Sequence, residues 1–338
     1  LPVRRQRHVW VRDSICPPIP LTFSNAADYG SATRSPISTT GVSERHPIIA
    51  VTGSSGAGTS TASQAFAKIF QRLGVRAANI EGDSFHAFDR VQMQAAIQRA
   101  RIRGENFSHF GPASNHFDKL EALFRQYSDD GSGMRRRYLH TDEEAAAHGQ
   151  DAGTFTDWEQ LPPDTDLLFY EGLHGGVITP RVNVAQYVDL MIGMTPTINL
   201  EWIQKIDRDT RERGYKPEDV AKTILRRMPD YVNYVVPQFS RTDVNFQRVP
   251  LVDTSNPFHA AHVPSNKESF VVVHFARVYR APLDIDHLVN SMPGAFMSRE
   301  NTLVVPGAQM QNAMERVLEP MVQRLLDLRA THLVNERA

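Results

Sequence analysis

The run Gly53-Ser54-Ser55-Gly56-Ala57-Gly58-Thr59-Ser60-Thr61 constrains the fold more than any other part of the chain. It follows a short β-branched stretch at 47–51. It precedes a segment in which Phe66, Ile69, Phe70 and Leu73 recur at i, i+3, i+4 and i+7, one face of a helix. Gly74 then stands where a helix would end in the left-handed conformation. Strand, glycine-rich turn and helix in that order make a phosphate-binding loop. Small residues let backbone N–H groups converge on phosphate oxygens, and the helix N-terminus adds partial positive charge. Ser60 takes the Ser/Thr place of G-x-x-x-x-G-K-[ST], so its hydroxyl is a candidate Mg²⁺ ligand. Thr59 stands where lysine is usual. Either the loop has given up phosphoryl transfer, or a cation reaches the β/γ-phosphates from elsewhere.

The chain has few lysines to offer: six of its 37 basic residues, the other 31 being arginine. One of them is Lys205, which shares a helical face with Arg208 three residues on, with Arg211 and Arg213 following before Gly214. The same segment is striped by Ile198, Trp202 and Ile206, and a solvated charged helix is its alternative reading. Two carboxylates fall at the ends of expected strands, where open α/β sheets bind ligands. Glu171 ends the apolar run 166–170 and suits an acid that orients Mg²⁺ and its waters. Asp83 follows the strand expected at 75–80 and suits a general base, or a turn cap. His86 and Arg90 lie just beyond it. Together with Arg72, Tyr138 and His140 they could hold a small phosphorylated substrate.

Alternating patterns predict further helices over 91–103, 116–127 and 308–328, and one striped by Val220, Ile224, Leu225 and Met228. Strands are expected at 188–194, 250–253 and 270–275. This alternation predicts an α/β fold, a P-loop NTPase with a mostly parallel or mixed sheet flanked by helices on both faces. Residues 1–45 are Arg-, Ser- and Pro-rich with no sustained period, and read as a disordered leader, with a transit peptide as the alternative. Residues 46–338 then form a single domain, with a lid helix around 198–214. A net charge of -1 gives no field for nucleic acid, no run reaches membrane-spanning length, and Cys16 is the only cysteine. These features point to a cytoplasmic location.

Six separated motifs resemble those of bacterial phosphoribulokinase. They are the stretch from His46 through Thr61, Glu81-Gly82-Asp83-Ser84-Phe85-His86, Phe107-Ser108-His109-Phe110, Tyr170-Glu171-Gly172-Leu173-His174-Gly175, 199–206 and 252–258. The resemblance implies a nucleoside-monophosphate-kinase-like fold and ATP- and Mg²⁺-dependent phosphorylation of D-ribulose 5-phosphate at O1, in the Calvin cycle. It implies Asp83 as catalytic base, Glu171 as second carboxylate, and Lys205 and Arg208 as cations serving the transferred group. His86, Arg90, Tyr138 and Arg213 match sugar-phosphate positions. It further implies a homo-oligomer, an octamer, activated by NADH and inhibited by AMP, with Arg277 and Arg299 as effector candidates. Threonine at position 59 agrees with the bacterial branch. A uridine-kinase relative, or a nucleotide-binding regulator without turnover, are the rival readings.

Overall fold

The computed structural model describes residues 45–335, apart from Ser55, Arg213, Ala261 and residues 277–282. The leader expected over 1–45 therefore lies outside the described residues, except for Arg45. Eight strands form one mixed sheet: β1 (Ile48–Gly53), β2 (Ala77–Glu81), β3 (Leu167–Gly172), β4 (Leu190–Thr195), β5 (Val244–Pro250), β6 (Ser269–Phe275), β7 (Phe296–Arg299) and β8 (Thr302–Pro306). Their order across the sheet is β2-β3-β1-β4-β5-β6-β8-β7. The first five are parallel, and β6, β8 and β7 join antiparallel. The main helices are α1 (Thr59–Leu73), α2 (Arg90–Ile102), α3 (Phe117–Asp130), α4 (Ile198–Arg211), α5 (Pro217–Asp230) and α6 (Met310–Asn335).

Strand β1 explains how the layers form. Ile49 and Val51 belong to a core shared with α1 and α6, while Ile48 and Ala50 belong to a second core shared with α3. All six residues of β1 are buried. A central parallel strand covered on both faces therefore reads as a continuous apolar run rather than an alternating one. Burying Ile48 and Ile49 side chains contributes roughly 1.5–3 kcal/mol each. The chain leaves β1 for β2 on one side, returns through β3, and crosses to β4 on the other side. The strand order reverses beside β1, so a crevice opens at its carboxyl end.

Some expectations shift. The strand expected at 250–253 is instead β5, ending at Pro250, because pairing with β6 stops where Pro250 faces Ser269. Leu251 beyond it is 58% exposed. On α4 the buried apolar residues are Leu200 and Ile203, not the Ile198/Trp202/Ile206 stripe. Trp202 instead stacks on Phe258 at 5.2 Å. Leu225 of α5 is exposed, because only Val220 and Ile224 of that helix reach the interior. Strands β7 and β8 have no counterpart in the sequence reading. Pro229 ends the regular bonding of α5, since it lacks an N–H and crowds the preceding turn. The chain continues as a π-helical turn, Tyr231–Val235, and a 3₁₀ turn, Val236–Ser240.

Candidate active site

The crevice at the end of β1 is a cleft of about 940 Å³. Its floor is the glycine-rich loop. Gly53 must be glycine because a Cβ there would stand 2.7 Å from the Met194 carbonyl oxygen on β4. Gly58 takes φ 101°, the left-handed region that a side chain disfavours, and so turns the loop into α1. The first turn of α1 has no acidic residue and no side-chain cap. Its N-terminal amides and partial positive charge are thus left for an anion. Ser60 is exposed on this turn and lines the cleft.

Carboxylates gather at one end. Glu81 and Glu171 are register partners at the ends of β2 and β3, and Asp83 follows in a 3₁₀ turn, Gly82–Phe85. Burial raises the Glu171 carboxyl above its usual range; the Thr59 hydroxyl pulls it back, and Asp83 and Glu81 add to the rise. Burial also pushes Asp83 upward, but the hydrogen bond from His86 and the nearby His86, His140 and His109 rings outweigh it, so this carboxyl is held low. His86 Nε2 lies 3.2 Å from Asp83 Oδ1, and its Nδ1 lies 2.8 Å from Asn115 Oδ1.

Cations line the same cleft. Lys205 Nζ is 2.5 Å from Asp209 Oδ2, and Arg208 Nε is 3.4 Å from Asp209 Oδ1. Arg227 of α5 reaches His109 Nδ1 at 3.4 Å and lies over the Phe110 ring. Arg248 of β5 also lines the cleft, anchored to Ser269 Oγ at 3.1 Å. Burial, then Arg227, lowers the Lys205 ammonium below its ordinary value, with Asp209 opposing. His109, buried and beside Arg227, falls to about 3.

The oxygen donors suit a hard cation. Ser60, Glu171 and Glu81 border the loop. No cluster of three or more His, Cys, Asp or Glu side chains is arranged for a metal among the described residues. A cation here would draw its remaining ligands from phosphates and water, which is how Mg²⁺ is commonly held.

Residues 48–255 match the model of the phosphoribulokinase / uridine kinase family. The chain belongs to this family. It is 58% identical over 289 residues to the plasmid phosphoribulokinase of Cupriavidus necator, covering 85% of this chain and 98% of that one. It is 51% identical over 284 residues to the phosphoribulokinase of Nitrobacter vulgaris, covering 84% and 97%. Among solved structures, phosphoribulokinase from Rhodobacter spheroides matches with a TM-score of 0.78 and 48% identity, over 85% of this chain and 99% of that one.

Within this family fold, the residues expected from sequence separate into groups. Gly53, Ser54, Gly56, Ala57, Gly58, Thr59, Ser60, Thr61, Asp83, His86, His140, Glu171, Lys205 and Arg208 all line one cleft. Ser55, Arg213 and Arg277 lie outside the described residues. Arg90 and Tyr138 stand behind the wall: Arg90 donates to the His140 carbonyl at 3.1 Å, and the Tyr138 ring meets the His140 ring edge-on. Arg72 is the correction. It closes the far end of α1 against α6 through Glu315 and Glu319, because both helices cover the same sheet face. His109, Arg227 and Arg248 were missed as site residues. His109 sits in the aromatic run 107–110, a visible signal. Arg227 and Arg248 lie on elements whose approach to the loop depends on long-range packing.

Proposed function

We propose that this chain transfers the γ-phosphoryl group of ATP to O1 of D-ribulose 5-phosphate, giving ribulose 1,5-bisphosphate and ADP in the Calvin cycle. The observation that carries this reading is Asp83, which lines the same cleft as the phosphate loop, with a histidine cluster beside it. The O1–H proton passes to the Asp83 carboxylate as the new P–O1 bond forms and the bond to the ADP oxygen breaks. Asp83 is held ionised, as a general base requires. The amides at the start of α1 bind the phosphates, and Lys205, Arg208 and Arg227 neutralise charge on the transferring group. Ser60 and Glu171 would hold Mg²⁺, which supplies charge neutralisation at the phosphates. His86 and His140, with Arg90 and Tyr138 behind, form the wall where the sugar phosphate fits.

Residues 46–338 are read as one kinase domain, with 198–214 as its lid. The resemblance supports three finer expectations: an octamer, activation by NADH with inhibition by AMP, and a cytoplasmic location. Arg299, the effector candidate within the described residues, is exposed at the end of β7. An ADP-release assay with ribulose 5-phosphate, with uridine and with no acceptor tests the reading. Turnover only with ribulose 5-phosphate supports it. Turnover with uridine alone moves the chain to the other branch of its family, and release with neither acceptor favours a non-catalytic nucleotide binder.

A further inference from the structure

The chain from 230 to 238 follows Arg227 of α5 and bonds to several segments that border the cleft without lining it itself. Asp230 Oδ2 accepts from Ser108 Oγ at 2.7 Å, holding the loop that carries His109. Tyr231 packs its ring on Phe110 and donates its hydroxyl to Glu201 of α4 at 3.4 Å. Gln238 makes the remaining connections. It is 1% exposed, and its amide is saturated. Oε1 accepts from Thr52 Oγ1 at 2.9 Å and from the Gly176 amide at 2.8 Å. Nε2 donates to the Leu173 carbonyl at 2.8 Å and the Tyr234 carbonyl at 2.7 Å. Two carbonyls need a donor and one amide needs an acceptor, so only this orientation of the side chain satisfies the site.

The partners give these bonds their meaning. Thr52 immediately precedes Gly53, and its register partner Gly172 lies between Glu171 and Leu173. Gln238 therefore grips the ends of β1 and β3 together, next to the phosphate loop and the half-buried Glu171. Its own segment continues directly from α5, which carries Arg227. We propose that Gln238 is a positioning residue: acting through Thr52 and Leu173, it sets the phosphate loop and Glu171 at a fixed distance from the cationic wall. Binding and catalysis place different demands on such a clamp. Phosphates can still bind to a loop that shifts slightly, whereas in-line transfer loses on the order of 10²-fold for about 1 Å of misplacement.

The inference rests on the kinase reading, so the test pairs turnover with a readout that does not depend on the acceptor. Gln238→Met removes the clamp, Thr52→Val removes its hold on β1 alone, and Thr52→Ser retains the hydroxyl. With ribulose 5-phosphate, Thr52→Val and Gln238→Met should lower kcat at least about 10-fold with KM for ATP changed less than about threefold, and Thr52→Ser should keep most activity. Hydrogen exchange with Mg-ATP present should quicken selectively at 52–58 and 172–176 in Thr52→Val, leaving β6 and α6 protected. If wild type does not phosphorylate ribulose 5-phosphate, the substrate reading fails, and the exchange pattern alone decides the clamp. If Gln238→Met does not fold, Thr52→Val carries the test. Wild-type kcat in Thr52→Val, or exchange that rises uniformly across the sheet, overturns the proposal and leaves Gln238 as ordinary packing.

Discussion

Replacing Lys205 by methionine tests how a phosphate loop without lysine can work. The substitution keeps the aliphatic stem and removes the charge. Losing one preorganised electrostatic contact costs about 10²- to 10³-fold in kcat, roughly 2.7–4 kcal/mol. The structure adds a second effect. Lys205 Nζ lies 2.5 Å from Asp209 Oδ2, and Asp209 is 5% exposed. A hydrogen bond to a charged group contributes about 1.5–3 kcal/mol. Arg208 stays at 3.4 Å from Asp209, so the carboxylate keeps a cation and the protein should still fold. At about 2–4 °C per kcal/mol, Tm should fall by roughly 3–12 °C. The double variant Lys205→Met/Asp209→Asn separates the two effects. It removes the buried charge and should recover much of Tm, while kcat stays low. The assay is initial-rate ADP release at saturating ATP and ribulose 5-phosphate, beside a thermal melt. Adding Thr59→Lys should restore little, because Thr59 is 3% exposed with its hydroxyl toward Glu171. Two results would refute the reasoning. If Lys205→Met keeps kcat within about threefold while Arg208→Met loses it, Arg208 carries the role. If the double variant regains kcat, Lys205 serves only to hold Asp209.

Asp83→Asn should fold normally and bind ATP, yet lose about 10²- to 10⁴-fold in kcat, since an amide cannot accept the O1 proton; near wild-type turnover would reduce Asp83 to a turn cap. Acid should weaken the fold early. His109 and His174 stay neutral in the folded protein down to about 3 while the unfolded chain protonates near 6.5, so the unfolded state binds protons that the folded one refuses. Stability should therefore fall as pH drops from about 6.5 toward 3, by up to about 1.4 kcal/mol per pH unit for each ring. Urea midpoints that stay constant from pH 7 to 4.5 would contradict this. With Cys16 the only cysteine, no internal dithiol exists, and activity after dithiothreitol or mild oxidant should be equal. Strong reversible inactivation at low protein concentration would argue otherwise.

The chemistry nearest the loop was legible because it is local. Gly53 to Thr61 announces itself by turn residues between two hydrophobic periods, and Asp83 and Glu171 are found by asking which residue ends a strand. Parallel strands place those ends together whatever else the chain does. Lys205 and Arg208 were also readable, as neighbours on one turn of helix. Their anchor was not: Asp209 sits in the same sequence, but only burial turns it from a surface charge into the group that holds both.

The rest depended on distance along the chain. Arg227 meets His109 across a separation of 118 residues, and Gln238 reaches Thr52 across 186. No periodicity encodes such pairs. Arg72 shows the converse. Its guanidinium suggested a phosphate ligand, but α1 carries it down one face of the sheet to Glu315 and Glu319 on α6. The strand pattern likewise gave β1 and β3 but missed β7, a short and largely exposed edge strand, and β8, whose buried run Leu303–Val305 is only three residues long. Local sequence thus determined the loop, the strand ends and the acid–base chemistry they imply. The tertiary structure alone decided that Arg227 and Arg248 join Lys205 and Arg208 at that loop, because their contacts exist only once the sheet brings remote segments within hydrogen-bond reach.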